Sequence, residues 1–389
     1  MKFLLRKPLT ALFVLLPLLF CGCSSAFDIG IDSASDCGEP SGSSGSSQAA
    51  GGVVTAGEWN DLANWGFWAS LFNNSDWQEF GKYWKFYPQN FVCVETVDAS
   101  GAPVPGVKVT LSQNGQYVWQ AVSDNSGRAV LWAEFYTGSA IVPGGWALNV
   151  GGTQAESFEF TTLSLAETAV NSFTVESAGA DSSIDVAFIV DATGSMHDEI
   201  DFLKEDLDDI ISIVQEQVST PVRTGTVFYR DSDDEYLTRC SQLTGDLAST
   251  RKFISEQEAF GGGDYPEAVH SALEEGLQSL SWNPVARSRV AFLVLDAPPH
   301  SESEVIAACQ RVVREYAAAG IKIVPVSASG INKSCEYLLR SFELATGGTY
   351  VFLTDDSGVG AEHIAASVGD YQVEKLRDLI ARLIIAYAK

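Results

Sequence analysis

Asp191-Ala192-Thr193-Gly194-Ser195 gathers a carboxylate and two hydroxyls into one turn. Such hard oxygens suit Mg²⁺, which takes about six of them near ~2.1 Å and keeps several waters. The turn follows Ile184-Asp185-Val186-Ala187-Phe188-Ile189-Val190, an almost unbroken apolar run that reads as a parallel strand buried on both faces. A strand ending this way delivers its oxygens to the carboxyl edge of a sheet, where open α/β folds bind ligands. Val290-Ala291-Phe292-Leu293-Val294-Leu295-Asp296 is a second buried strand ending in an aspartate. Between the two, Gly261-Gly262-Gly263-Asp264-Tyr265-Pro266-Glu267 opens a helical pattern.

The spacing of Asp191, Thr193 and Ser195 resembles the Asp-x-Ser-x-Ser signature of the von Willebrand factor type A family, with Thr193 keeping the hydroxyl of the first serine. Ile321-Lys322-Ile323-Val324-Pro325-Val326 and Gly347-Gly348-Thr349-Tyr350-Val351-Phe352-Leu353 continue the likeness, which runs from about Ser183 to the end of the chain. The resemblance implies that Asp191, Thr193, Ser195 and Asp296 hold one Mg²⁺ or Mn²⁺. It also implies that an acidic side chain of a protein partner completes the metal sphere. In that family a second loop adds a threonine, and here Asp264 stands at its place.

Asp264 has two readings. As a third carboxylate it would make the loaded site net negative, tightening the cation and weakening its pull on an acidic partner. Asp264-Tyr265-Pro266-Glu267 also has the spacing of a capping box, with Asp264 as N-cap and Glu267 at N3, and proline suits a first turn. Ligand, cap or both remain open at this point.

Other chemistries find less support. Zinc hydrolysis needs clustered ligands at defined spacing, and His197, His270, His300 and His363 are scattered, with no His-Glu-x-x-His. A Gly-x-Ser-x-Gly elbow and a Gly-x-x-x-x-Gly-Lys loop are both missing. The reading is therefore a non-enzymatic binding protein. Two rivals stand beside it: a hydrolase using Asp191, Asp296 and His300 around a metal, and a carbohydrate-binding module built on a tryptophan-rich segment.

Fifty acidic against twenty-four basic residues give a net charge of −26. That argues against nucleic acid, whose phosphates require a basic footprint, and favours divalent cations. Lys2, Arg6 and Lys7 precede an apolar stretch from Leu9 to Phe20, the pattern of an export signal. Phe20-Cys21-Gly22-Cys23 resembles a bacterial lipobox with Cys23 as the lipid acceptor. The expected location is then the cell envelope, held at the membrane by the lipid anchor alone. Cleavage after Ser24-Ser25-Ala26, giving a plainly secreted chain, is the alternative.

Export permits disulfides. With Cys23 lipidated, the mature chain keeps Cys37, Cys93, Cys240, Cys309 and Cys335, an odd number. A Cys309–Cys335 bridge is expected, because their helices flank one strand in successive right-handed crossovers.

The remaining segments must position this chemistry. Residues 1–23 form the signal with its lipobox, and 24–52 a Ser/Gly linker. Residues 53–89 read as an aromatic-rich helical segment containing Trp59, Trp65, Trp68, Trp77 and Trp84. Burial is their commoner use, and a sugar-stacking platform is the functional alternative. Residues 90–178 alternate short strands with turns such as Asn114-Gly115. They resemble a carboxypeptidase regulatory-like, transthyretin-like β-sandwich. Residues 183–389 alternate strands and helices, as an α/β, doubly wound, mostly parallel sheet requires.

Overall fold

The computed structural model describes residues 54–176, 179–354 and 364–389. The lipobox with Cys23, the linker with Cys37, and His363 lie outside the described residues. Thr55–Trp59 is a strand (β1), followed by two helices, Trp65–Leu71 (α1) and Ser75–Trp84 (α2). Eight strands come next: Asn90–Val97 (β2), Lys108–Gln113 (β3), Gln116–Val122 (β4), Arg128–Trp132 (β5), Trp146–Val150 (β6), Thr153–Gln154 (β7), Thr161–Thr162 (β8) and Val170–Thr174 (β9). They form two four-stranded sheets: β4-β3-β6-β7, and a second in which β5, β8 and β9 all pair with β2. Val109, Leu111, Trp119, Leu131 and Leu148 fill the space between them.

The rest is the α/β part. Its elements are Ile184–Asp191 (β10), His197–Gln217 (α3), Val222–Tyr229 (β11), Thr238–Thr244 (β12), Leu247–Ser255 (α4), Val269–Gln278 (α5), Ser288–Leu295 (β13), Ser303–Ala319 (α6), Lys322–Ser327 (β14), Lys333–Thr346 (α7), Tyr350–Thr354 (β15), Glu374–Lys375 (β16) and Leu376–Ala388 (α8). The sheet order is β12-β11-β10-β13-β14-β15-β1-β16, with β11, β10, β13, β14 and β15 parallel and β12 and β1 antiparallel to their neighbours. Along β10 the period of two sorts side chains to opposite faces. Val186, Phe188 and Val190 meet α3 and α8, while Ala187 and Ile189 meet the core shared with α5, α6 and α7.

The first strand departs from the helical reading of residues 53–89. All five residues of β1 pair with β15, from Thr55↔Thr354 to Trp59↔Tyr350. Five residues are too few for their alternation to stand out beside two tryptophan-rich helices, and the pairing partner lies some three hundred positions away. The tryptophans themselves are core. Trp65, Trp68, Trp77 and Trp84 are buried, so the sugar platform built on them falls away.

That core encloses a charged knot. Arg340 of α7 donates through Nε and Nη2 to Asp61 (2.8 and 2.6 Å) and through Nη1 to Glu336 (3.1 Å) and the Ser367 carbonyl (2.7 Å). Its guanidinium lies 5.1 Å from the Trp68 ring centroid and 5.4 Å from that of Trp77. Arg340, Asp61 and Glu336 are all fully buried.

Further bonds fix the sandwich onto the helices beneath it. Trp132 Nε1 donates to the Leu344 carbonyl (3.1 Å), Gln120 Nε2 to Ala318 (3.0 Å) and the Tyr136 hydroxyl to Gln310 (2.7 Å). Lys322 Nζ reaches Asp124 at 2.9 Å.

Cys309 and Cys335 are free thiols, which corrects the expected bridge. Their helices do lie side by side, but the two side chains turn to different neighbours. Cys309 sits near Glu274 and Tyr136, whereas Cys335, in the first turn of α7, sits near Asp296 and Glu336.

Asp61→Ala would leave Arg340 buried without its bidentate partner. Removing one side of such a pair costs about 3–5 kcal/mol. Equilibrium denaturation should show a loss of that size, and a loss below about 1 kcal/mol, as for an exposed pair, would show that the knot is not what secures β1.

Candidate metal centre

β10 connects through α3 to β11 on one side, and the chain then crosses to β13 on the other. The order therefore reverses between β10 and β13, the place where open α/β sheets hold ligands. Asp191 ends β10, and Asp296 follows Leu295 at the end of β13. Both are buried, Asp191 completely.

One oxygen of Asp191 is occupied. Its Oδ1 accepts from the Thr193 backbone N–H (2.9 Å) and from the Thr193 hydroxyl (2.7 Å). Oδ2 is buried and makes no hydrogen bond of good geometry, although the Tyr229 hydroxyl lies close enough to draw the Asp191 carboxyl down. Burial pushes the Asp191 carboxyl up to about 7, against the opposing bonds from Thr193. Burial likewise raises Asp296, while a hydrogen bond from Ser195 pulls it back. Thr193 is buried and Ser195 exposed, so the oxygen set opens outward through Ser195.

Asp264 is no helix cap. Helix α5 begins at Val269 with Ala268 as its N-cap, and Asp264 is exposed and makes no hydrogen bond among the described residues. The capping-box spacing misled because the chain first runs back along the neighbouring loop. Glu267 N–H donates to the Pro298 carbonyl (2.9 Å), and Glu267 bridges to Pro299.

This detour turns Glu267 inward. It is buried, its Oε2 has no partner, and burial pushes its carboxyl up to about 9, helped by the charges of Asp191, Asp231, Asp234 and Asp296. Glu267 is the site residue that sequence reasoning passed over. Its sequence signal was present, but it had been assigned to a cap.

Gly262 makes room for it, and Gly261 makes room for Asp234. Gly261 and Gly262 have φ of +87° and +76°, a region that favours glycine. A Cβ on Gly262 would lie 3.1 Å from Thr193 Cβ and 3.2 Å from Glu267 Oε1. A Cβ on Gly261 would collide with Asp234 Oδ1 at 2.1 Å.

The surroundings add more negative charge. Glu199, in the first turn of α3, is buried and its carboxyl is pushed up to about 7 by desolvation, with Asp296 and Asp191 adding to it. Asp231 Oδ1 accepts from His300 Nε2 at 2.9 Å, which assigns the imidazole proton to that nitrogen. His300 thus turns that nitrogen to Asp231, which leaves the Asp191–Asp296–His300 arrangement of a hydrolase without geometric support. Arg230 is close by, yet its Nε and Nη2 donate to the carbonyls of Ala192 (3.1 Å) and Glu258 (2.8 Å).

The residues fit a cation. Asp191, Glu267, Asp296 and Glu199 are buried without any ion pair among the described residues, and two of them carry orphaned oxygens. Among the described residues no three His, Cys, Asp or Glu side chains gather closely enough to hold an ion alone. The hydroxyls of Thr193 and Ser195 would therefore have to share the work, as neutral ligands do for Mg²⁺.

Comparison with known proteins agrees with this part of the chain. Residues 185–337 match the von Willebrand factor A domain. A protein of Acanthamoeba polyphaga mimivirus named as an ariadne-like RING finger protein is 32% identical over 121 residues, 31% of this chain and 12% of that protein. Alpha-protein kinase vwkA of Dictyostelium discoideum is 32% identical over 130 residues, 33% of this chain and 20% of the kinase. The chain thus spans a fifth or less of those relatives. A solved von Willebrand factor type A structure from Catenulispora acidiphila is 13% identical, with a TM-score of 0.36, covering 78% of this chain and 50% of that one. The pilus adhesin SpaC of Lactobacillus rhamnosus GG is 10% identical with a TM-score of 0.38, covering 53% of this chain and 30% of the adhesin.

The raised carboxyls set a pH dependence for the α/β part in the absence of bound metal. A carboxyl whose pKa is higher folded than unfolded contributes stability that is complete below the ordinary range near ~4. That stability is lost as pH rises through about 7 for Asp191 and about 9 for Glu267. Melting temperature in EDTA should therefore fall from about pH 5 to about pH 9, and Mg²⁺ should restore it at the upper end. Glu267→Gln should flatten the upper part of the fall, whereas Asp264→Asn should leave the profile unchanged. The same slope in Glu267→Gln as in the parent chain would remove Glu267 from the site.

Proposed function

We propose that the A domain binds a protein partner through one Mg²⁺ or Mn²⁺ held by Asp191, Thr193, Ser195, Asp296 and Glu267. The observation that carries this reading is a buried set of carboxylates with orphaned oxygens and no protein counter-charge among the described residues, opening to solvent at the Ser195 hydroxyl. The cation would supply the positive charge that the partner's acidic side chain recognises. With three carboxylates the loaded site stays net negative, so it should hold the metal firmly and an acid weakly. Binding, without catalysis, is the activity proposed.

The basic and apolar start of the chain and Gly22-Cys23 support an exported protein tethered by lipid at Cys23. Adhesion at the cell envelope is the corresponding role.

Calorimetry should find one Mg²⁺ per chain and no binding in Asp191→Ala, with circular dichroism showing both chains folded. Unchanged affinity in the variant would overturn the metal assignment. Envelope proteins retained by the immobilised chain should elute with EDTA. Intact mass of the mature chain tests the anchor: an N-terminal diacylated Cys23 is expected, and an unlipidated start at Phe27 would replace the anchor with plain secretion.

A further inference from the structure

Three buried oxygens beside the metal edge make no hydrogen bond of good geometry: Asp191 Oδ2, Glu267 Oε2 and the Tyr229 hydroxyl. Tyr229 ends β11 and is fully buried. A hydroxyl is costly to bury without a partner, and the set of cation ligands above gives Tyr229 no part.

Strand register brings these groups together. Asp191 and Tyr229 are paired positions of β10 and β11, and the Ala192 N–H donates to the Tyr229 carbonyl (2.8 Å). Paired positions on neighbouring strands lie about 4.8 Å apart and send their side chains to the same face. That face is the one covered by α5. Tyr229 shares a core with Val269, Ala272 and Leu273 of that helix, as do Ala187 and Ile189, the alternate residues before Asp191. Glu267 enters from the loop that precedes α5. Burial, with the charges of Asp191, Asp296 and Glu267, raises the phenol well above its ordinary range, so it keeps its proton.

We propose that Tyr229 is a positioning residue for the cation site, donating its hydroxyl proton to Asp191 Oδ2 and so fixing the carboxylate that ends β10. The proposal rests on the metal reading above. The Thr193 N–H and hydroxyl already take both acceptor positions of Oδ1 (2.9 and 2.7 Å). Oδ2 is therefore the oxygen left for a cation, and one bond from Tyr229 still leaves it a lone pair.

Held at both oxygens, the carboxylate cannot turn about its Cβ–Cγ bond. A neutral donor does this without cancelling the charge that attracts a cation, as an arginine or lysine in its place would. The hydroxyl carries one proton, so Asp191 and Glu267 cannot both take it. Register fixes Asp191 beside the phenol, whereas Glu267 approaches from a loop.

The test is calorimetry with Mg²⁺ on the mature chain and on Tyr229→Phe, beside thermal melts of both in EDTA. Phenylalanine keeps the ring and removes only the donor. Mg²⁺ affinity should fall at least about tenfold, as for other outer bonds to metal ligands. The melting temperature in EDTA should not fall, because the lost hydroxyl makes no bond of good geometry. Mg²⁺ should also perturb the ultraviolet absorption of tyrosine in the parent chain, and that change should vanish in Tyr229→Phe. In a Glu267→Gln background, Tyr229→Phe should cost the same factor, since effects exerted through separate groups add.

Unchanged Mg²⁺ affinity in Tyr229→Phe would overturn the proposal. A lower melting temperature in EDTA would make Tyr229 a packing residue and overturn it too. Absence of a tyrosine difference spectrum in the parent would do so without recourse to the variant. Disappearance of the Tyr229→Phe effect in the Glu267→Gln background would overturn the assignment of the bond to Asp191. A parent chain that binds no Mg²⁺ would overturn the metal reading itself, an outcome distinct from a parent and a variant that bind equally well.

Discussion

The Arg340–Asp61 pair decides where the early part of the chain can go. Asp61 follows β1 directly, so holding it under the α7 guanidinium sets β1 beside β15 and fixes the start of α1 and α2. Trp68 and Trp77 then close over the same guanidinium, excluding the water that would otherwise weaken the pair. A buried ion pair of this kind contributes little net stability over an apolar replacement. Its use here is specificity, because an unpaired Arg340 or Asp61 would penalise every other placement of the N-terminal segment. α2 in turn lines a cleft with Tyr265, Pro266, Pro298 and Pro299, so that placement reaches the loops that carry Glu267 and Asp296.

At that edge the constraint is electrostatic. A strand crossing between two helical layers must end somewhere, and β10 and β13 end in carboxylates that the surrounding elements desolvate. Protein cations were within reach of evolution here, yet Arg230 bonds to backbone carbonyls and His300 to Asp231. These carboxylates are left without a protein counter-charge among the described residues. Excess acidity over the whole chain draws cations toward it and keeps anionic surfaces away. On the metal reading proposed above, Glu267 adds charge that would hold a cation more firmly and an acidic partner less.

Much of this was legible in the sequence, and the gaps have physical causes. Asp191, Thr193, Ser195 and Asp296 were readable because a strand buried on both faces is a long apolar run, and its end is easy to find. The burial of the tryptophans followed from what tryptophan costs to expose. Glu267 was misassigned because Asp-x-x-Glu before an apolar pattern means the same in sequence whether the helix starts at once or four residues later. The delay comes from a bridge to Pro299, a pairing across more than thirty positions. β1 was hidden for a similar reason, since its partner β15 is remote. Cys309 and Cys335 were placed on the right helices, but adjacency of helices does not fix the phase of two side chains, and theirs point to different neighbours.

The sandwich and the α/β part share one hydrophobic core through α6 and α7, and this fixes which surfaces stay open. Tyr136, Gln120 and Trp132 tie the sandwich to carbonyls on these helices, and Lys322 ties Asp124 to the start of β14. α7 is thereby buried over most of its length and α6 along one face, and α3 and α8 pack together over the opposite sheet face. What the assembly leaves uncovered at the carboxyl edge is a ring of aromatics around buried charge.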